Sequence, residues 1–251
     1  MALWLATQGF RHVSILEGGL ASWREAGFPT DRFEGEAAAA RDEHSPAATA
    51  EQGRASFLPS LADRYFQDGG LPTRRRLTTL FVDIAGSTRL LAHHPPERVL
   101  GVVQGFMRLV TEVALAYCGD VKDFEGDGAL LYFESTADAT EAALAIRSAL
   151  ACGTCGADDP VAARMSLTVG EVIVGVVGST MRQAIALVGP SVSVGARILK
   201  QIPPGGIIAS GEIVEALRAE APPLATEFRL VDPAFEIPGG DGITVATYAI
   251  S

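Results

Sequence analysis

Asp83 is followed by Ile84-Ala85-Gly86-Ser87-Thr88. A carboxylate closing a β-rich run, then small residues and a helix start, sets a hard oxygen ligand beside a turn. The exposed N–H groups of Ala85, Gly86, Ser87 and Thr88 suit a triphosphate there. Asp127 stands between Gly126 and Gly128. If the strands carrying Asp83 and Asp127 pair as neighbours, both carboxylates meet at one end of a sheet. That arrangement suits two Mg²⁺ or Mn²⁺ ions and in-line phosphoryl chemistry. Taken singly, either aspartate reads better as a turn residue bonding its own backbone. The pair, in the element order below, favours the metal reading. Ser193 and Arg197, in VGPSVSVGARILK, lie four apart and share a face of a helix that starts after Pro190. A fixed guanidinium there neutralises charge developing on a phosphate; without that context it is a solvated surface arginine.

The elements that must position these groups are legible from Arg74 onward. RLTTLFVDI alternates and is β-rich, which predicts a strand ending at Asp83. Pro95-Pro96 opens a long helix with Val99, Val103, Phe106, Val110, Val113 and Tyr117 on one stripe. VKDFE and ALLYFE flank Gly126-Asp127-Gly128 as a hairpin. ADATEAALAIRSAL predicts a second helix, and RMSLTVGEVIVGVVG a further hairpin turning near Gly170-Glu171. The order is β-α-β-β-α-β, an α+β fold of ferredoxin-like sheet-and-helix layers.

The rest of the chain bounds the partners. Lys plus Arg number 20 against 30 Asp plus Glu, a formal charge of −10. That sign repels phosphate backbones and anionic lipid, so neither nucleic acid nor a membrane surface is an expected partner. No apolar run approaches the roughly 20 residues of a spanning helix, and MALWLATQGF has no basic region or cleavage site of a signal peptide. Three cysteines make no disulfide framework. A cytoplasmic location is the expectation. Residues 34 to about 56 have almost no large apolar side chain and read as a linker that runs on to about 73, with a helix turn or two after residue 57.

Taken together, LFVDIAGST, GDVKDFEGDGALLYF, LTVGEVIVGVVGS and LVGPSVSVGARILKQIPPGGIIAS resemble the catalytic domain of class III adenylate/guanylate cyclases, from about Arg74 to Ile250. The resemblance implies a head-to-tail homodimer with nucleoside triphosphate sites at the interface. It also implies attack of the ribose 3′-hydroxyl on the α-phosphate, with loss of pyrophosphate. Asp83 and Asp127 match the family's metal-binding aspartates for two Mg²⁺ or Mn²⁺ ions, and Ile84 lies where a backbone carbonyl joins them. Arg197 matches the transition-state arginine.

Several positions depart from the family's pattern. Asp123 stands where a base-reading Lys or Glu is usual, and Lys122, one residue off, is expected on the opposite face of its strand. Ala186 takes the second base-reading position. Ser193 replaces the transition-state Asn, and Pro238-Gly239 replaces a Lys-Gly that contacts the triphosphate. An ionised aspartate only accepts hydrogen bonds, so Asp123 predicts GTP over ATP. The departures also allow a second reading, a cyclase-homology module that binds nucleotide or a partner without turnover.

GFRHVSILEGGLASWREAGFP, within residues 1 to about 33, resembles the last part of a rhodanese domain, without that family's cysteine loop. Sulfurtransferase activity is not expected. Cys152-Gly-Thr-Cys155 has C-x-x-C spacing but no second pair for zinc, His93-His94 reads as a solvated loop, and Arg74 to Arg76 as a solvated basic run.

Overall fold

The computed structural model describes residues 70–153, 161–179 and 181–250. The expectations for residues 1 to about 33, for the linker as far as residue 69 and for Cys155 lie outside the described residues. The elements are β1 (Thr73–Ile84), α1 (Ser87–His93), α2 (Pro96–Ala116), β2 (Asp120–Glu125), β3 (Gly128–Phe133), α3 (Thr136–Ala151), β4 (Ala163–Ser179), β5 (Arg182–Val188), α4 (Pro190–Leu199), β6 (Ile207–Ser210), α5 (Gly211–Glu220), α6 (Pro222–Ala225), β7 (Phe228–Glu236) and β8 (Thr244–Ile250). The sheet runs β2-β3-β1-β4-β6-β8-β7, with β5 paired to β4 outside that path. Only β4 and β6 pair in parallel among these neighbours. The α+β class and the βαββαβ core agree with the sequence reading; β5 to β8 extend it.

β1 is buried from Leu77 to Val82, as a central strand covered on both faces must be. Leu80, Val82 and Ile84 enter a core shared with α2, α3 and α5. Leu77 enters a second cluster with Tyr132, Val172, Val174, Ile185 and Leu187. The two buried hydroxyls between are paired: Thr78 with Thr136 at 3.1 Å, and Thr79 with Thr168 at 2.9 Å. Each pair avoids the cost of an unsatisfied buried group.

Three expectations change. RMSLTVGEVIVGVVG is not a hairpin: β4 runs unbroken through Gly170, and its partner β5 begins at Arg182. Gly170 is there for close approach, since a Cβ on it would lie 2.9 Å from the Ser191 Cβ of α4. On α2 the buried residues are Val99, Val102, Phe106, Leu109, Val110 and Ala114. Val103, Val113 and Tyr117 pack at the margin, because a 3.6-residue period drifts across a 4-3-4 pattern. This helix, 21 residues with an 18-residue stretch of mean hydropathy 1.5, is also long and apolar enough by length and composition to cross a membrane. Glu97, Arg98, Arg108 and Glu112 interrupt its apolar runs, so a reading of uninterrupted runs passes over it. Here its apolar stripe packs on the sheet.

Candidate active site

Parity along the strands decides what meets at the end of the sheet. Leu77, Thr79, Phe81 and Asp83 point to the face opposite α2 and α3. Asp83 pairs across to Gly128 of β3 and to Arg164 of β4. Gly126, at φ 64°, makes the tight turn that carries Asp127 into place beside Asp83. The Ile84 N–H donates to the Asp127 carbonyl at 3.2 Å, tying that turn to the end of β1. Gly128 keeps the approach open, because a Cβ there would lie 2.9 Å from the Val82 carbonyl oxygen and 3.4 Å from Asp83 Oδ1. The structure therefore brings Asp83 and Asp127 together, as the sequence predicts.

Asp83 is mostly buried, and its carboxyl titrates above the usual carboxylate range. Burial is the largest cause; the hydrogen bond from Arg164 opposes it, and the charge of Asp127 adds to it. Arg164 Nη2 donates to Asp83 Oδ2. Two carboxylates so close together need positive charge, and their hard oxygens suit Mg²⁺ or Mn²⁺. Among the described residues no group of three or more His, Cys, Asp or Glu side chains converges. A metal held here would therefore take its remaining oxygens from backbone, water or substrate phosphates, the usual habit of Mg²⁺.

The following turn is partly committed. Gly86, at φ 80°, precedes α1 without a side-chain cap, but the Ala85 N–H already donates to the Ala162 carbonyl at 2.8 Å. Ala85 thus has no amide to spare for phosphate, which corrects its assignment as a phosphate-turn donor. A cavity of about 550 Å³ opens against Ile84, Ala85, Gly86, Arg89 and His93. A cavity of about 590 Å³ lies elsewhere, around Gly170, Ser191 and Ser210, and touches neither aspartate.

α4 is hung on the same sheet face. Ser166 Oγ donates to the Gly195 carbonyl at 2.8 Å, and Thr168 Oγ1 to the Ser191 carbonyl at 2.9 Å. Gly195 lets the helix sit close, since a Cβ would come within 3.0 Å of Phe81. The helix presents Ser193, which is exposed, and Arg197. Arg197 Nη1 donates to the Pro238 carbonyl at 2.8 Å, so the guanidinium is fixed against the Pro238-Gly239 loop.

The positions expected to read the base are less simple. The pairing of β2 with β3 shifts between Val121 and Asp123, a β-bulge at Lys122. A bulge suspends strict alternation, and Lys122 Nζ reaches Asp123 Oδ2 at 3.0 Å. Lys122 is the better buried of the two, at 16% side-chain exposure against 52%. Ala186, on β5, pairs with Gly175 of β4, which lies eleven residues along that strand from Arg164, or roughly 36 Å. One chain does not bring Ala186 to the aspartates. Sequence reasoning missed Arg164 altogether; a strand register for β1 against β4 is the signal that finds it.

No family model matches the chain. An uncharacterized protein of Mycobacterium tuberculosis is 32% identical over 157 residues, 58% of this chain and 28% of that protein. The chain thus spans little more than a quarter of that curated relative. The adenylyl cyclase CyaB from P. aeruginosa superposes with a TM-score of 0.62 at 21% identity, over 71% of this chain and 95% of that one. The guanylyl cyclase Cya2 gives 0.57 at 26% identity, over 71% and 93%. The guanylate cyclase domain of RhGC from Catenaria anguillulae, solved in complex with GTP, gives 0.61 at 18%, over 71% and 98%. The fold is that of the adenylyl and guanylyl cyclases.

Proposed function

We propose that the domain from Arg74 onward is a nucleotidyl cyclase that converts a nucleoside triphosphate, GTP or ATP, to a 3′,5′-cyclic nucleotide and pyrophosphate. The observation that carries this reading is the approach of Asp127 to Asp83 at one sheet end, on the face that also bears α4. Asp83 and Asp127, with the Ile84 carbonyl, would hold two Mg²⁺ or Mn²⁺ ions. Bound there, such ions offset the triphosphate charge and favour the ionised 3′-hydroxyl. Gly86, Ser87 and Thr88 line the phosphate side of the turn. Arg197, already fixed by Pro238, faces the charge that develops as pyrophosphate leaves, with Ser193 one helical turn before it.

A homodimer completes the site in this reading. The aspartates and Ala186 lie at opposite ends of β4, so a head-to-tail partner supplies what one chain holds too far away. Sedimentation of a monomer at about tens of micromolar, with Mn²⁺ and nucleotide present, counts against it. Residues 1 to about 33 we read as a rhodanese-like end on sequence alone, and the domain as a cytoplasmic signalling enzyme.

The second reading is a module that binds nucleotide without turnover. It is favoured by Ser193 and Ala186, and by the bond that Arg197 makes to Pro238. One assay separates the two: purified chain with Mn²⁺ or Mg²⁺ and each of ATP, GTP, CTP and UTP, followed for cyclic product and pyrophosphate. Product that disappears in Asp83→Ala supports the cyclase. Metal-dependent nucleotide binding without product supports the module, and neither binding nor product refutes both.

A further inference from the structure

The cavity of about 590 Å³ beside the start of α4 has no part in the cyclase reading, yet its size is that of a small-molecule site. Its apolar wall is Val172 of β4, Val194 of α4 and Val245 of β8. Val194 and Val245 also pack on the cluster of Ile198, Ile202 and Ile237, so the cavity opens beside the packing that seats α4. Among the described residues three buried side-chain polar atoms lack a hydrogen-bond partner, and two of them, Ser191 Oγ and Ser210 Oγ, belong to residues that line this cavity. Ser210 is 1% exposed and stands at the N-cap of α5, where a serine ordinarily accepts an N–H of the first turn. It makes no such bond. Ser191 is held through its carbonyl by Thr168, which leaves its hydroxyl idle. An idle buried hydroxyl costs stability unless something answers it. Both oxygens are covered as they stand, but a turn about χ1 carries each to another staggered position at the loss of no existing bond.

Charge selects what would answer them. At the rim Arg74 Nη1 meets Glu171 Oε2 at 3.0 Å, and the two charges cancel. Glu212, exposed in the first turn of α5, is left as an acceptor. The starts of α4 and α5 pull the other way, toward an anion, each by about half an elementary charge. Two such ends at full strength offset one carboxylate, but α4 opens with Pro190, which has no N–H to offer. The remainder is negative, on a chain of formal charge −10. We propose that this cavity binds a small primary amine carried on an apolar body. The ammonium donates to Glu212 and to the hydroxyls of Ser210 and Ser191, and the body lies against Val172, Val194 and Val245. An ammonium has three donors and no acceptor, which matches one carboxylate and two idle hydroxyls. The inference rests neither on the metal site nor on turnover.

The test sets 2-phenylethylamine, 2-phenylethanol and 3-phenylpropanoate, which share a body and differ in charge, against the full chain without metal or nucleotide. Saturation-transfer NMR and calorimetry read the affinities in wild type, Glu212→Gln, Ser210→Ala and Asp83→Asn, and thermal melting checks each fold. The amine should bind wild type about fivefold tighter than the alcohol, with the carboxylate weakest. Glu212→Gln should remove the amine's advantage, Ser210→Ala should weaken amine and alcohol severalfold, and Asp83→Asn should change nothing. Three results overturn the inference on wild type alone: no binding, an amine no tighter than the alcohol, or a carboxylate that binds best. Amine binding unchanged in either Glu212→Gln or Ser210→Ala overturns it too, and loss in Asp83→Asn assigns the amine to the aspartates instead. Should Ser210→Ala fail to fold, Glu212→Gln, a change at an exposed side chain, decides alone: a lost advantage supports the inference and an unchanged one overturns it.

Discussion

Replacing Asp127 with Asn should make the metal-free protein more stable while removing the proposed metal site. Asp83 titrates above its ordinary 3.8, through burial first and then, against the pull of Arg164, through the charge of Asp127. A raised carboxyl means that the fold binds a proton more tightly than the unfolded chain does. Its favourable contribution is therefore complete below the unfolded value and is lost as pH rises through the folded one. At neutral pH the ionised pair is a cost. Two unit charges about 4 Å apart repel by about 4 kcal/mol at an effective dielectric near 20. Arg164 neutralises part of this and Asp127 is half-exposed to screening water, which leaves about 1 kcal/mol for the Asn variant to recover. For a domain of this size that is a melting shift of about 2–4 °C. Urea denaturation in chelator at pH 7.5 should show Asp127→Asn as the more stable protein. The gain should shrink as pH falls through the folded value of Asp83, where the proton already removes the repulsion. Added Mn²⁺ should stabilise wild type and not the variant, since only a ligand that binds the fold shifts its stability. A variant no more stable than wild type at pH 7.5, or a gain that persists unchanged in acid, refutes the like-charge account of this site.

Three further outcomes follow from the geometry. Gly170→Ala forces a Cβ to within 2.9 Å of Ser191 and should cost about 1–3 kcal/mol in chemical denaturation; because Ser191 opens α4, turnover should fall more than Mn²⁺ binding does. Lys122 and Asp123 hold each other, so the wild type should discriminate weakly between GTP and ATP: Lys122→Ala should shift competition toward GTP and Asp123→Ala toward ATP, each by about tenfold at most, and shifts in the same direction would show that this pair does not read the base. Glu220 Oε2 accepts from the Thr136 and Ala137 N–H groups at 2.8 and 3.1 Å, capping α3 from α5, so Glu220→Ala should lower stability by about 1 kcal/mol in a thermal melt without altering Mn²⁺ affinity.

What the sequence discloses here divides by the range of the interaction. The Asp83 turn, the Gly126-Asp127-Gly128 hairpin and the helix over Ser193 and Arg197 are written in local signals: alternation, a glycine turn, a proline start. Those signals predict them correctly. Gly170 misleads because glycine serves two ends, turning a chain and admitting a neighbour. Only the approach of Ser191, twenty-one residues on, tells which. Lys122 misleads because its bulge carries no glycine to announce it, and strict alternation does not hold across it. Arg164 was invisible for a third reason: its partner is eighty-one residues away, and one basic residue at a strand start has no pattern. These failures share a location. Gly170 seats the helix that carries Arg197, Lys122 neighbours the proposed base-reading position, and Arg164 holds a proposed metal ligand. Local rules fail where strands and helices from distant parts of the chain set side chains against one another. A sheet end that gathers two like charges and a half-matched arginine is poorly explained by folding alone. In the proposed reading it is a place for a polyanion and its cations.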